Sequence, residues 1–323
     1  MNIAFYNNHP YWGGLADNGG SRTIIRSVKT LQALGHKAYV VTDNDRHTWE
    51  PHDAPAIKIP KNVDAVIAVS ISDLKPMIKE TKRWKIKKAI WLRGMETWQM
   101  PGPKIYSRLK NFASDGHTIL VNSSWLSAKI WKHGIPNQIL YQGFDLKYWQ
   151  DLELRDNETK LKIGCLYNND HESKRYDLFE KLPKQLGFDK YAYCAFGRHG
   201  KRPNPWLEPY LSNPSHKDLV SLYSSCRVWF APTEKEGLHN VPAEANLCGC
   251  LVVHNDMVSN GILDYSGNEC AMVYSDDVGA VQMIEGADYS KVPVMQEKIK
   301  TKIGDRKQNM ERFIKLLQGG KHG

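Results

Sequence analysis

The run Val228-Trp229-Phe230-Ala231-Pro232-Thr233-Glu234-Lys235-Glu236-Gly237-Leu238-His239-Asn240-Val241-Pro242-Ala243-Glu244-Ala245-Asn246-Leu247-Cys248-Gly249-Cys250-Leu251-Val252-Val253 decides how this chain folds. It opens on four apolar, β-prone residues and closes on three more, so a buried strand stands at each end. A polar loop leads from the first strand into a helix that starts near Asn240. Asparagine is a good N-cap, and Pro242 falls in the first turn, where its missing N–H is no loss. Gly249 stops the helix before the next strand. The amino end of such a helix suits a phosphate. Glu236 in the loop and Glu244 on the second helical turn can then address different hydroxyl-rich parts of one ligand.

The same alternation extends in both directions, which points to an α/β architecture with parallel sheets. In the first half, strands are expected at Ile3–Tyr6, Ala38–Val41, Ala65–Val69, Ala89–Leu92, Ile119–Val121 and Ile139–Tyr141. A helix opens at Gly19-Gly20-Ser21 and stops at Gly35. The polar stretch Asp151–Lys160 reads as a linker. After it come a strand at Leu161–Leu166, a helix at Tyr176–Leu186, a strand at Tyr191–Phe196 and a helix at Asp218–Tyr223. The expected division is therefore 1–150 and 151–305, two Rossmann-like domains facing a central cleft. A final amphipathic helix within 306–323 packs back on the first of them. Ligands in such folds bind at the carboxyl ends of the strands.

The net charge of +9 is unevenly shared. Residues 1–150 hold 21 Lys and Arg against 11 Asp and Glu, whereas residues 151–323 hold 23 against 24. The densest basic tract is Lys75, Lys79, Lys82, Arg83, Lys85, Lys87, Lys88 and Arg93. A solvated helix face would explain a charge run of this kind, but the asymmetry favours an anionic partner for the first half. No apolar run reaches the roughly 20 residues that span a bilayer. The start of the chain reads as a strand rather than a signal peptide, so the expected location is the cytosol, with the six cysteines as reduced thiols.

The central run resembles the signature of the group-one, or family-four, retaining glycosyltransferases of GT-B architecture. That signature has two glutamates separated by seven residues, a small-residue loop between them, then a Cys-Gly pair and a strand. Glu236 and Glu244 match the glutamates, and Gly237, Asn240, Pro242, Cys248 and Gly249 match around them. Weaker likenesses are Gly19-Gly20 before a helix, Leu34-Gly35-His36, Val121-Asn122-Ser123-Ser124-Trp125, Gly143-Phe144-Asp145 and Gly197-Arg198. The resemblance implies that Glu236 contacts the donor sugar and supports charge during transfer. It implies that Glu244 binds the nucleotide ribose, and that the Gly237, Leu238, His239 and Asn240 amides approach sugar or phosphates. Gly19 and Gly20 would join the donor site from the first domain. Lys174 matches a lysine that neutralises the leaving diphosphate, so no metal and no cofactor beyond the sugar nucleotide are expected.

Two departures stand out. The arginine that usually precedes that lysine is absent from Tyr167-Asn168-Asn169, leaving Arg175 or Arg198 to substitute. The histidine that many relatives place in a first-domain loop is absent from Trp91-Leu92-Arg93-Gly94-Met95-Glu96-Thr97-Trp98, leaving Arg93 or Glu96 to act there. Asp43-Asn44-Asp45 fits a metal-binding Asp-x-Asp pattern, but three polar residues after a strand more often make a turn. Cys248-x-Cys250 lacks the second pair of a zinc site, and the glycines at 13, 14, 19 and 20 do not form a dinucleotide fingerprint. The expected function is transfer of a sugar from a nucleoside diphosphate to a hydroxyl acceptor, with retention. The partner would be a glycan or lipid-linked saccharide at a membrane surface. The alternatives are a hydroxylated base in DNA, and a nucleotide-sugar epimerase or binding protein on the same fold.

Overall fold

The computed structural model describes residues 1–9, 13–97, 100–154, 159–168, 172–198 and 200–319. The chain divides into two compact units, Met1–Gly143 with Asp305 onward, and Phe144–Gly304.

The first unit is built on β1 (Asn2–Tyr6), α1 (Gly19–Ala33), β2 (Lys37–Val41), β3 (Ala65–Ala68), α2 (Leu74–Glu80), β4 (Lys87–Leu92), α3 (Gly102–Ser114), β5 (Thr118–Val121), α4 (Ser124–Trp131) and β6 (Gln138–Ile139). Its strands form one parallel sheet in the order β2-β1-β3-β4-β5-β6. Alternate residues of β1 feed opposite faces: Ile3 and Phe5 join the core under α1, and Ala4 and Tyr6 join the core under α2, α3 and α4. Burial on both faces is why these strands read as continuous apolar runs. Asn18 caps α1 by accepting from Ser21 N at 2.8 Å, and Gly35 leaves it at φ +82°.

The second unit holds β7 (Leu161–Tyr167), α5 (Tyr176–Leu186), β8 (Tyr191–Gly197), β9 (Leu207–Ser212), α6 (His216–Ser225), β10 (Val228–Ala231), α7 (Asn240–Leu247), β11 (Leu251–Asn255), β12 (Met272–Tyr274), α8 (Asp277–Glu285) and α9 (Lys291–Lys298). The sheet is again parallel, in the order β12-β11-β10-β7-β8-β9. In each sheet the order reverses once, between β1 and β3 and between β7 and β10. Helices leave in opposite senses there, and the carboxyl ends of the two strands open a crevice.

α10 (Arg306–Gln318) belongs to the first unit. Phe313, fully buried, packs its ring 5.9 Å from Phe5 and 6.3 Å from Trp91. Gly143 makes the return possible, since a Cβ there would stand 2.6 Å from the Arg306 backbone, and its φ is +68°. The division falls at Gly143/Phe144 rather than at the expected 150, for a packing reason. Phe144 N donates to Gly304 O at 3.0 Å, and the Trp149 ring lies 4.1 Å from His216 inside the second unit. Among the described residues no helix is long and apolar enough to cross a membrane.

Candidate functional site

In the second unit, the loop after the fully buried β10 is fixed by the segment after β11. The Asn255 side-chain amide donates to Pro232 O at 2.7 Å and to Thr233 O at 3.1 Å. Its oxygen takes Asn260 Nδ2 at 3.0 Å, which locks the asparagine in place. Ser259 Oγ donates to Glu234 O at 2.7 Å, and Glu236 N to Ser259 O at 2.9 Å. Gly261, at φ +68°, lies so close that a Cβ would stand 2.3 Å from Gly237 O. Pro232, Thr233, Glu234 and Glu236 are thus each held by a hydrogen bond to their backbone, and Gly237 is packed closely against Gly261.

The loop after β7 approaches the same point. A 3-10 turn, Glu172–Lys174, carries Lys174 to Glu236, and the ammonium donates to Glu236 Oε1. Glu234 N donates to Ser173 O at 2.8 Å, which ties the two loops together. Burial pushes the Glu236 carboxyl upward, but the Lys174 charge outweighs it and holds the group below the ordinary glutamate range. Arg175, at φ 49°, sits among carboxylates of its own unit. Its guanidinium donates to Glu234 Oε1 at 2.5 Å and to Asp177 Oδ1 at 3.2 Å, with Asp277 Oδ1 at 3.7 Å. Glu234 and Asp177, with Arg175 itself, line a polar groove of about 530 Å³ reached by Asn168, Glu172 and Tyr176. Arg198, the other substitute, is exposed just beyond β8. Asn169, Asp170 and His171 lie outside the described residues.

Asn240 is already helical, so the cap of α7 is His239, with φ −80° and ψ 95°, one residue earlier than expected. The Tyr265 hydroxyl donates to the His239 carbonyl, holding the first turn. Gly237, Leu238 and His239 are all buried, and Glu244 is buried on the second turn. Burial pushes both the His239 and His254 imidazoles down to about 4, so both rings are neutral near pH 7. His254 shares hydrogen bonds with Asn255 O at 2.6 Å and Ser266 Oγ at 2.8 Å.

In the first unit, Gly20 and Arg93 meet at the carboxyl edge of the sheet. Arg93 donates to Gly20 O and, at 3.3 Å, to Val69 O. Those bonds make it a brace between the start of α1 and the end of β3. A Cβ on Gly20 would lie 3.2 Å from Arg93 Nη1, whereas Gly19 has open space around it. Glu96 Oε2 accepts from Ile71 N at 2.7 Å, and Asp73 accepts from Ser70 Oγ at 2.7 Å and Asn8 N at 3.1 Å. Burial pushes the Asp73 carboxyl up to about 7 and that of Glu96 up to about 8. Trp98 lies outside the described residues. Asp43-Asn44-Asp45 is a turn in which Asp45 bonds His47 N at 3.1 Å and His52 Nε2 at 2.9 Å.

The basic tract belongs mainly to the other end of this sheet. Lys87 and Lys88 open β4 opposite Ala65 and Val66, at the amino edge. Lys82, Arg83, Lys85 and Lys87 are exposed, while Lys88 Nζ turns back to Trp84 O at 3.3 Å. Counted by unit, the first holds 25 Lys and Arg against 12 Asp and Glu, and the second 19 against 23. The charge asymmetry is therefore sharper between the folded units than between the halves of the sequence.

No family model matches the chain, and no curated protein matches it. Solved structures do. Sucrose-phosphate synthase from Thermosynechococcus elongatus superposes with a TM-score of 0.78 at 13% identity, covering 99% of this chain and 100% of that one. Anabaena HepE in complex with UDP-glucose superposes with a TM-score of 0.76 at 14% identity, over 99% and 100%. A glycosyltransferase from Rickettsia africae superposes with a TM-score of 0.75 at 12% identity, over 99% and 98%. The chain has the GT-B fold of these enzymes.

Proposed function

We propose that the chain is a glycosyltransferase that moves a sugar from a nucleoside-diphosphate sugar to a hydroxyl, keeping the anomeric configuration. The observation that carries this reading is the Lys174–Glu236 pair, set at the β7/β10 reversal and ahead of the α7 amino end. A diphosphate needs positive charge when the bond from the anomeric carbon to its phosphate oxygen breaks. Lys174 and the α7 terminus supply it without a divalent metal. Glu236 faces the sugar, where a carboxylate stabilises developing positive charge, and Glu244 takes the ribose hydroxyls. The acceptor oxygen bonds the anomeric carbon, and its proton leaves with the nucleoside diphosphate. Gly19 and Gly20 open α1 in the first unit, where Arg93 braces Gly20. HepE, which shares the fold, was solved with UDP-glucose, and that supports a nucleotide-sugar donor here.

The amino edge of the first unit has a separate part in this reading. Its exposed lysines stand at the opposite end of the sheet from Gly20 and Arg93. They hold an anionic acceptor or surface by charge, away from the chemistry. The test of the whole reading is incubation with a panel of sugar nucleotides and detection of free nucleoside diphosphate, followed by NMR of the product anomer. Release from one donor with that donor's anomeric configuration kept in the product is the expected result. No release from any donor, or an inverted product, contradicts it.

A further inference from the structure

His239 caps α7 with 4% of its surface exposed. The Tyr265 hydroxyl bonds its carbonyl and also meets the Ala243 N–H, so the backbone around it is set. The ring nitrogen Nδ1 is buried and has no hydrogen-bond partner. Leaving it so costs stability that an apolar side chain would avoid, which marks the group for something other than packing. The charged and titratable groups around the ring are Glu236 from the loop after β10, Lys174 from the turn after β7, and His254 from β11. Pro242, the third residue of α7, has no N–H, so the first turn offers an anion one donor fewer than a helix ordinarily would.

We infer that His239 supplies that donor, its Nδ1–H bonding a phosphoryl oxygen of the nucleoside diphosphate bound at the amino end of α7. The inference rests on the donor reading above. A phosphate oxygen accepts and does not donate, so Nδ1 must carry the proton of the neutral ring. The pairing of Lys174 with Glu236 lies beside this ring, and a diphosphate that draws Lys174 to itself parts the pair and uncovers Nδ1. A neutral donor here adds a hydrogen bond without adding charge, so Glu236 stays ionised for the sugar.

The test is calorimetric binding of UDP, GDP, ADP, CDP and dTDP, then of the matching nucleoside and of inorganic pyrophosphate, to wild type and three variants. His239→Ala is expected to weaken the preferred diphosphate and pyrophosphate by about tenfold and leave the nucleoside unchanged. His239→Asn, whose amide nitrogen reaches the place of Nδ1, is expected to recover most of the loss. His239→Gln, whose amide reaches the place of Nε2, is not. Equal diphosphate affinity in wild type and His239→Ala overturns the inference and leaves the donor reading intact, as does rescue by Gln in place of Asn. If wild type binds no diphosphate, the donor reading itself fails and takes this one with it. If His239→Ala does not fold, the contrast between Asn and Gln carries the decision.

Discussion

Lys174 and Glu236 are 62 positions apart, yet their side chains form one ion pair where two loops of the second unit meet. Neither group is fully exposed, with side-chain exposures of 17% and 28%. The pair holds a carboxylate ionised beside the amino end of a helix, a place that by itself attracts anions. A cation matched to a carboxylate is also one that an incoming diphosphate can recruit.

Removing the cation should therefore damage turnover more than folding. Lys174→Met is expected to lower kcat by about 100-fold or more, since it deletes the charge that stabilises the leaving diphosphate. Steady-state kinetics with the preferred donor, beside a thermal melt, checks this. Turnover within threefold of wild type would remove Lys174 from the site.

The two units should respond to pH in opposite directions. His239 and His254 are held near 4 by burial, below their ordinary 6.5. Between those values the unfolded chain binds protons that the folded second unit refuses, so its stability falls with acid, by about 2 kcal/mol per histidine from pH 7 to 5. Asp73 and Glu96 in the first unit are raised to about 7 and 8 from ordinary values of 3.8 and 4.5. Their contribution is complete below pH 4 and is lost as pH rises through 7 to 8. Glu50, held near 2 despite burial by Arg26 and Arg22, matters only below pH 4.5. Hydrogen exchange at pH 5 and pH 8, corrected for intrinsic rates, should show the first unit better protected at pH 5 and the second at pH 8. A common trend in both units contradicts these assignments.

Much of this was legible beforehand, and the reasons are specific. Tyr176–Leu186 and Val228–Ala231 are bounded in the fold as they are in the sequence, because Arg175 and Gly187 punctuate the helix and Arg227 and Pro232 the strand. β9 escapes detection because Glu208 and Pro209 interrupt an edge strand that is half exposed, and β12 is only three residues long. The Asn255–Asn260 clamp is invisible in sequence because its partners, Pro232 and Thr233, lie 22 or more positions away. The fate of Arg175 is hidden for the same reason, since it depends on Glu234 and Asp277. Local periodicity reports strands and helices, whereas the site is made of contacts between loops.

The return of α10 to the first unit predicts a local stability effect. Phe313→Ala should cost about 3–5 kcal/mol in the first unit, because it opens a cavity against Phe5 and Trp91. Denaturant melts followed by hydrogen exchange on peptides from each unit measure it. A loss under 1 kcal/mol would mean that α10 is dispensable to that core.

Charge reversal at the amino edge tests the remote docking surface. Lys82→Glu, Lys85→Glu and Lys87→Glu together should raise the acceptor KM about tenfold or more at low salt and leave donor hydrolysis within twofold. Added salt should reproduce the effect in wild type, because exposed charges are screened. Lys88 is left out because its ammonium is turned to Trp84 O. Unchanged acceptor use by the triple variant would reduce the tract to a solvated face, and gel shift with duplex DNA beside liposome co-sedimentation identifies the partner if the effect is present.

The central claim is a metal-independent donor site centred on Glu236, and one assay addresses it directly. Wild type and Glu236→Gln are compared in excess chelator, measuring both nucleoside-diphosphate release from the preferred donor and affinity for the free diphosphate. The account predicts that wild type turns over in chelator, while Glu236→Gln releases nucleotide at about one hundredth of that rate and binds the diphosphate within about threefold of wild type. An absolute requirement for Mg²⁺ or Mn²⁺, or wild-type release by Glu236→Gln, would contradict it.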